Sequence, residues 1–358
     1  MNAFFEHQFR KNEAERRLTR FLSYLYGVCM SITYEHECQV AIDAVYKACE
    51  LAKRMQGTLE ALDVVNKEDL SPVTITDFSC QALINMHLLS EFPDAEIMGE
   101  EDALFLRNPQ NAIIKAKVVE QIQKLDPHIR EEQILDAIDQ GGSSGGPNKR
   151  FWVLDPIDGT RGFIRNEQYA VALALIDQGE VVIGVLGCPR LPIPGHTSGG
   201  IFSAIKGKGT FLQPLGTQEK KRVHVSIPSA HAELIYCETH PSPTSSHNHS
   251  EAHKIAHMLN ATPKPFRLDS QCKYAVVAQG EASIYFRIPV SKTHREKIWD
   301  HAPGMIVVEE AGGRVTDLYG NSLDFSHGKT LSKNFGLLAT NRAIHDKALE
   351  AISKTSLP

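Results

Sequence analysis

Two aspartates in the hexapeptide DPIDGT, Asp155 and Asp158, have the clearest potential for chemistry. They follow the apolar run FWVL, where Pro156 stiffens the backbone and Gly159 permits a sharp turn. Both carboxylates can therefore converge on one point, and the carbonyl of Ile157 adds an oxygen between them. An all-oxygen cluster suits a hard cation such as Mg²⁺.

Thr160 follows this turn at a position where a helix can begin. Its hydroxyl and the nearby backbone amides can then face an anion. An isolated pair of aspartates three residues apart is usually an ordinary turn in which one of them caps a helix. The functional interpretation therefore depends on whether further acids gather at the same place.

Further acids stand at the ends of apolar runs: Asp77, Glu100, Glu101 and Asp300. Taken singly, Glu100 fits a solvated strand end, and Asp300 fits an N-cap before a helix starting near Pro303. Gathered together, these carboxylates would repel one another and raise one another's pKa values unless cations neutralise them. The cluster therefore predicts a metal site with more than one ion.

The acids need folded elements to hold them together. Apolar positions at three- and four-residue spacing predict a core-facing helix from residue 35 to Gly57. An extended piece, Val73 to Thr76, leads into a helix that opens near Asp77, and AEIMGEED contains a brief strand. YAVALALID and EVVIGVLGCP predict two strands joined by a hairpin, and the second half alternates strands with helices. This is a mixed α/β pattern.

The sequence predicts that the chain is divided into an N-terminal extension and two lobes. Residues 1–34 predict a helical N-terminal extension, residues 35–190 an N-terminal α+β lobe, and residues 191–358 a C-terminal α/β lobe. The first lobe carries an insertion at about 103–150 that is rich in charge and ends in the tract QGGSSGGPNK. AIIKAKVVEQIQKL is the helix expected within it.

Composition limits the functional classes. The chain has 358 residues, of which 42% are hydrophobic, enough to bury the core of two lobes. A net charge of -5 predicts no basic face for duplex nucleic acid. Seven cysteines without a C-x-x-C pair indicate a reducing compartment, and no signal-peptide pattern or membrane-spanning apolar run is evident. We expect a cytoplasmic protein that acts on a small molecule, as a monomer or weak homo-oligomer.

Three segments, MGEE, LDPIDGT and IWDHAPGMIVVEEAGG, resemble in order and spacing the signatures of the lithium-sensitive, Mg²⁺-dependent phosphatases that include inositol monophosphatase. The resemblance covers residues 35–345 and implies a layered αβαβα sandwich of two lobes, with the metal ions between them. Within that superfamily, DPIDGTRGFIR, the insertion, LDSQCKY and YFRIP resemble the 3′(2′),5′-bisphosphate nucleotidases. The implied reaction, part of sulfur metabolism, converts 3′-phosphoadenosine 5′-phosphate to AMP and phosphate, with the 5′-phosphosulfate as a further candidate substrate.

The resemblance also implies roles for individual residues. The implied metal ligands, for two or three Mg²⁺ ions, are Glu100, Asp155, Ile157 through its carbonyl, Asp158 and Asp300. Asp77, paired with Thr160, would orient the attacking water and take its proton. Glu101 ligates through a water or stays solvated, and both remain open.

A nucleoside bisphosphate keeps one phosphate after the other is cleaved, so its recognition requires a second anion site. Lys273 and Arg287 are the candidates for that site. The alternatives are a solvated helix lysine for Lys273 and a surface ion pair for Arg287. The predicted substrate-binding residues are Thr160, His247, Ser270, Lys273, Arg287 and Asp300.

Three alternative functions remain open at the level of sequence. An inositol polyphosphate 1-phosphatase has similar motifs and a long insertion. A non-catalytic cation-binding scaffold would keep the carboxylates for stability alone. His249, His253 and His257 recur every four residues, a helical spacing that can bind zinc, although no fourth ligand is evident nearby.

Overall fold

A computed structural model describes residues 33–58, 60, 63–66, 72–227, 233–242 and 247–357. Apart from its last two residues, the N-terminal extension predicted over residues 1–34 lies outside the described residues. Among the described residues, those from Glu37 onward form one compact unit. No helix in these ranges is long and apolar enough to cross a membrane.

The helices of the described ranges begin with the long helix predicted from residue 35 and include the one predicted in the insertion. They are α1 (Glu35–Gln56), α2 (Ile75–Glu91), α3 (Leu104–Arg107), α4 (Ala112–Gln123), α5 (Glu131–Asp139), α6 (Thr160–Ile164), α7 (His249–Met258), α8 (Cys272–Ala278), α9 (Ala302–Glu310) and α10 (His345–Ser353). A 3-10 turn, Pro109–Asn111, joins α3 to α4.

The strands form three sheets. They are β1 (Val64–Asn66), β2 (Pro72–Thr74), β3 (Glu96–Gly99), β4 (Arg150–Asp158), β5 (Ala170–Asp177), β6 (Glu180–Cys188), β7 (Gly200–Ile205), β8 (Gly209–Pro214), β9 (Lys221–Val223), β10 (Tyr236–Glu238), β11 (Phe266–Arg267), β12 (Ile284–Arg287), β13 (Arg314–Thr316) and β14 (Leu337–Thr340). β1 and β2 pair alone, the larger sheet has the order β3-β4-β5-β6-β7-β8-β9, and the smaller has the order β11-β10-β12-β14-β13.

The elements stack in five layers, which confirms the αβαβα sandwich. Helices α8 and α9 contact strands of both sheets and share one hydrophobic core with them. On the far side of the smaller sheet, α7 and α10 pack on a second core. On the far side of the larger sheet, α2 contacts β4, and Val45 and Cys49 of α1 lie against Gly187 of β6. Because the larger sheet is covered on both faces, its central strands β5 and β6 are nearly continuous runs of buried residues.

The lobe boundary predicted at residue 190 falls inside the larger sheet. Strands β7, β8 and β9 continue that sheet as an antiparallel meander after the prolines at 189–194. The change of sheet lies instead between Val223 and Tyr236. The prolines mark the turn between β6 and β7, since a turn and a domain linker share the same composition.

The start of α2 differs from the sequence prediction by two residues. Ile75 and Thr76 are helical and not extended, because Thr74 is the N-cap. The Thr74 hydroxyl accepts a hydrogen bond from the Thr76 amide at 3.1 Å, and the Asp77 carboxylate accepts one from the Thr74 amide at 2.8 Å. This reciprocal capping box places Asp77 in the first turn of the helix.

Candidate active site

A β-bulge brings Asp155 and Asp158 to the same side of β4. Residues three apart on a regular strand point to opposite faces. Here Asp155 pairs with Ala172 and Asp158 pairs with Ala170, so the two residues between the aspartates oppose a single residue of β5. The extra residue corrects the alternation, and both carboxylates emerge on one face.

Two further acids join them from other elements. Glu100 directly follows β3, which runs parallel to β4, and its amide donates to the carbonyl of Leu154 at 3.1 Å. Asp300 precedes α9, whose N-cap is His301, so the alternative of an N-cap role for Asp300 is wrong. Carboxylate oxygens of Asp155, Asp158 and Asp300 lie within 4.8 Å of one another. These three aspartates and Glu100 are called the acid cluster below.

Crowding and burial make the acid cluster hard to ionise without a counter-charge. Burial, followed by the charges of Glu100 and Asp158, raises the pKa of Asp155 well above its usual range. The pKa of Asp300 is raised in the same direction, by burial and then by Asp158. Burial raises the pKa of Asp158 to about 6, although the positive charge of Lys273 opposes the shift. Bound cations would reverse these shifts.

The acid cluster fits hard divalent cations. Its donors are all oxygens, which are the ligands that Mg²⁺ and similar ions prefer, and nitrogen or sulfur ligands for softer metals are not among them. The Ile157 carbonyl, the predicted backbone ligand, accepts a hydrogen bond from the Thr160 hydroxyl at 3.1 Å. A carbonyl oxygen has a second lone pair with which to contact a cation.

Asp77 and Thr160 lie beside the acid cluster and face each other. One carboxylate oxygen of Asp77, Oδ2, accepts from the Thr74 amide at 2.8 Å and from its hydroxyl at 2.6 Å. The other oxygen, Oδ1, is 3.5 Å from the Thr160 hydroxyl, at the outer limit of a hydrogen bond. The capping interaction therefore fixes the rotamer of Asp77 and directs Oδ1 toward Thr160.

Glu101 has a different environment from Glu100. Glu101 is buried. The Gln81 carboxamide holds its backbone by donating to the Glu101 carbonyl at 2.5 Å and accepting from the Glu101 amide at 3.0 Å. Among the described residues the close acid group contains Asp155, Asp158 and Asp300, and not Glu101. Burial excludes the solvated alternative for Glu101, and ligation through a water stays a prediction.

The acid cluster opens into a cavity of ≈ 310 Å³ whose other walls are polar and basic. Most of the predicted site residues lie on this cavity. Its lining residues include Glu100, Asp158, Thr160, His247, Ser270, Lys273, Arg287 and Asp300. Residues from both sheets and from the middle helices therefore meet at one place.

Arg287 reaches the cavity from the last position of β12. Alternation along this strand sends Ile284 and Phe286 into the outer core, and Tyr285 toward the middle layer. Arg287 follows Tyr285 in that alternation, and its Nε donates to the buried Glu296 at 2.9 Å. Glu296 is buried and the Arg287 side chain is 27% exposed, so the alternative of a surface ion pair is wrong for this half-buried pair.

Lys273 is also buried, at 3% exposure, which excludes a solvated helix lysine. Its Nζ donates to the carbonyl of Ser270 at 2.7 Å and lies 5.3 Å from the centre of the Tyr285 ring. Burial lowers the pKa of Lys273, and the charges of Asp158 and Asp269 oppose that shift. Ser270 itself has a φ of 68°, a conformation that turns the chain sharply before α8.

His247 lines the cavity as a neutral imidazole. Burial, and then the nearby His249 and Arg287, lower its pKa to about 3. Its Nδ1 accepts a hydrogen bond from the Ile288 amide at 3.0 Å, so the ring proton is on Nε2. The protonated Nε2 lies 3.9 Å from a carboxylate oxygen of the buried Glu238.

The structure does not bring the three helical histidines together as a zinc site. His249 Nδ1 and His253 Nε2 contact opposite oxygens of the buried Glu238, at 2.8 Å and 3.2 Å. In the described ranges the close group is Glu238, His247 and His249, and His257 is not part of it. Arg267 also donates to Glu238, at 3.0 Å, and a guanidinium on the same carboxylate disfavours a second cation.

Several residues that line the cavity were not predicted from the sequence. Asp269 accepts hydrogen bonds from the Thr239 hydroxyl, from the His240 amide at 3.2 Å and from Arg165. Gln271 donates its amide to Asp158 Oδ2 at 2.5 Å. Asp269 and Gln271 belong to LDSQCKY, a segment that resembles the bisphosphate nucleotidases, so this motif could have indicated them as site residues. Arg165 is the last residue of DPIDGTRGFIR, so the same signal applied to it, whereas Thr239 lies in a segment with no comparable signal.

Comparison with known proteins relates this chain to one family throughout its described length. The inositol monophosphatase family matches residues 33–357. A 3′(2′),5′-bisphosphate nucleotidase of Emericella nidulans is 40% identical over 351 residues, covering 90% of this chain and 99% of that protein. Proteins of the same name from Schizosaccharomyces pombe and Dictyostelium discoideum are each 39% identical, covering 89% and 88% of this chain and 96% of each relative.

Solved structures confirm the fold. An IMPase of Thermotoga maritima superposes with a TM-score of 0.61 at 23% identity, covering 89% of this chain and 97% of that one. The extragenic suppressor protein suhB of Bartonella henselae gives a TM-score of 0.63 at 22% identity, covering 89% and 98%. The motifs, the five-layered fold and these similarities agree, and this chain belongs to the inositol monophosphatase family.

Proposed function

We propose that this protein is a Mg²⁺-dependent 3′(2′),5′-bisphosphate nucleotidase that converts 3′-phosphoadenosine 5′-phosphate to AMP and phosphate. One observation carries the proposal: three members of the acid cluster, Glu100, Asp158 and Asp300, line the same ≈ 310 Å³ cavity as two cations, the buried Lys273 and the half-buried Arg287. A substrate with two phosphates on one ribose can place the scissile phosphate at the acids and the other phosphate at the cations. The names of the curated relatives support this assignment over an inositol polyphosphate 1-phosphatase.

The acid cluster would hold two or three Mg²⁺ ions, through Glu100, Asp155, the Ile157 carbonyl, Asp158 and Asp300. Bound there, the ions would supply the positive charge that polarises the phosphate and acidifies the attacking water. The protein's own part is to present the ligands on one face, which the β-bulge achieves. The raised pKa values of the aspartates are consistent with a site built for cations.

Asp77 would accept the proton of the attacking water, and Thr160 would orient that water. Asp77 Oδ2 is held by Thr74, and Oδ1 faces Thr160, so Oδ1 is the atom that would act as base. A hydroxyl that donates to Asp77 or to the Ile157 carbonyl leaves its own lone pairs for a water molecule. A general base must lie within hydrogen-bond reach of the water, and this arrangement provides that geometry.

Lys273 and Arg287 would bind the phosphate that is not cleaved. Glu296 orients the Arg287 guanidinium, and it also receives hydrogen bonds from His294 at 3.1 Å and His301 at 3.3 Å. Burial alone would raise the pKa of Glu296, but Arg287 and these histidines lower it well below its usual range. Glu296 is therefore ionised, and Arg287 is held in one orientation before substrate arrives.

A phosphate-release panel with Mg²⁺ tests the proposal. The substrates are 3′-phosphoadenosine 5′-phosphate, its 2′-phosphate isomer, the 5′-phosphosulfate and inositol 1,4-bisphosphate. We expect rapid release from the first and little from the inositol ester. Faster release from the inositol ester would support an inositol polyphosphate 1-phosphatase. A melting temperature that depends on Mg²⁺, without turnover of any substrate, would support a cation-binding scaffold.

A further inference from the structure

A buried glutamine connects the segments that carry two members of the acid cluster. Gln271 is 2% exposed and stands at the start of α8. Its backbone amide donates to Asp158 Oδ2 at 2.5 Å. Its side-chain Nε2 donates to the Trp299 carbonyl at 2.9 Å, and its Oε1 accepts from the Gly304 amide at 3.0 Å. One residue thus contacts Asp158 directly and the backbone on both sides of Asp300.

The Gly304 contact solves a local problem at the N-terminus of α9. The first amides of a helix have no partner within the helix and need an acceptor from elsewhere. His301, the N-cap residue, makes no side-chain capping hydrogen bond. The Gln271 carboxamide supplies the missing acceptor from a different helix, so the start of α9 is fixed relative to α8.

We infer that Gln271 is a positioning residue that sets the separation between Asp158 and Asp300 and thereby tunes the affinity for divalent cations. The inference rests on the proposed metal-dependent function. Asp158 belongs to the larger sheet, whereas Asp300 lies in the loop before a helix of the middle layer, so no shared element holds them together. Only contacts between elements can fix their distance, and Gln271 provides three. Outer contacts that orient ligands typically change metal affinity by about 10- to 100-fold.

The test uses Gln271→Met, which keeps the backbone amide to Asp158 and removes both side-chain hydrogen bonds. Gln56 offers a matched control, since it is 5% exposed and its carboxamide donates to Phe163 and Glu167 carbonyls at 3.0 Å and 3.2 Å and accepts from Arg190 at 2.7 Å. None of these partners belongs to the acid cluster. Gln56→Met should therefore destabilise the fold without changing the metal site.

The measurement is Mn²⁺ binding to the full chain without substrate, by calorimetry or by electron paramagnetic resonance of unbound Mn²⁺. Mn²⁺ is used because it accepts the same oxygen ligands. We expect Gln271→Met to raise the Mn²⁺ dissociation constant about tenfold or more. Gln56→Met should bind Mn²⁺ like wild type, even if its metal-free melting temperature falls as much as that of Gln271→Met. If Gln271→Met does not fold, Gln271→Asn, whose carboxamide is one methylene too short to keep both contacts, takes its place with the same expectation.

An unchanged dissociation constant in the Gln271 variant, or equal weakening in the Gln56 variant, would overturn the positioning role while leaving the proposed function intact. Wild-type protein that binds no Mn²⁺ would overturn both. The two failures are therefore distinguishable from one set of titrations.

Discussion

Replacing Arg287 tests the substrate assignment because this residue pairs with Glu296 in the structure and, in our proposal, also binds the phosphate that is not cleaved. Its permanent partner is Glu296, buried at 5% exposure. Removing one partner of a fully buried ion pair costs about 3–5 kcal/mol, and the loss here should be smaller because the Arg287 side chain is 27% exposed. Arg287→Met should therefore lower the free energy of unfolding, although the hydrogen bonds from His294 and His301 to Glu296 would offset part of the loss.

The proposed partner is the phosphate that stays on the substrate. That contact exists in both the ground and the transition state, so its loss should raise KM far more than it lowers kcat. A charge-assisted hydrogen bond contributes about 1.5–3 kcal/mol, which corresponds to about a 10- to 100-fold rise in KM if KM tracks binding. Adenosine 3′-phosphate has no second phosphate, so its KM should hardly change.

Arg287→Met combined with Glu296→Gln separates the two effects. The double variant leaves no buried unpaired carboxylate, so much of its stability should return while KM for 3′-phosphoadenosine 5′-phosphate stays high. Steady-state kinetics on both nucleotides and thermal unfolding of the three variants, including Glu296→Gln alone, provide the comparison. Equal rises in KM on the two substrates, or recovery of KM together with stability, would refute the phosphate contact and make Arg287 purely structural.

Three further predictions concern the acid cluster. Asp158→Asn should nearly abolish turnover in Mg²⁺ while the protein stays folded, because one ligand charge is lost without creating a cavity; substantial turnover by a folded variant would contradict this. Li⁺ should inhibit, since a small monovalent ion can enter a Mg²⁺ position without supplying its charge, and rates that stay unchanged as Li⁺ is titrated would count against the assignment. The pKa of Asp158 is raised to about 6 and those of Asp155 and Asp300 are raised as well, so these three aspartates bind more protons in the metal-free native state than in the unfolded chain. Their contribution to the free energy of unfolding should therefore fall as pH rises from about 4 through about 6. Mg²⁺ should consequently raise the melting temperature more at pH 7 than at pH 5; an equal rise at both pH values would show that the acids titrate normally.

Much of the acid cluster could be predicted from the sequence. The residue types and their place at the ends of apolar runs indicated Glu100, Asp155, Asp158 and Asp300. In the structure Glu100, Asp158 and Asp300 line one cavity, and Asp155 lies within 4.8 Å of the two aspartates. Local order along the chain was predictable for the same reason, since hydrophobic periodicity and turn residues act over a few positions. The hairpin of β5 and β6 is an example, with Gln178 and Gly179 at positive φ in its two-residue turn.

Other features depended on contacts between residues distant in sequence. The bulge that turns Asp155 and Asp158 to one face exists only because β5 pairs with β4 in a particular register, although Pro156 was a local hint. The boundary at residue 190 was misplaced because prolines mark turns and linkers alike, and only the pairing of β6 with β7 distinguishes the two.

The environment of the basic residues of the cavity, Lys273 and Arg287, depended on tertiary structure more than any other feature of the site. Sequence separation hid that Arg287 is paired with the buried Glu296 and that Lys273 is buried over the Tyr285 ring. Their alternatives, a solvated helix lysine for Lys273 and a surface ion pair for Arg287, differ from the observed state in burial. Burial is a property of the layers that cover a residue, and those layers come from parts of the chain far from it, so residue type and local spacing cannot specify it.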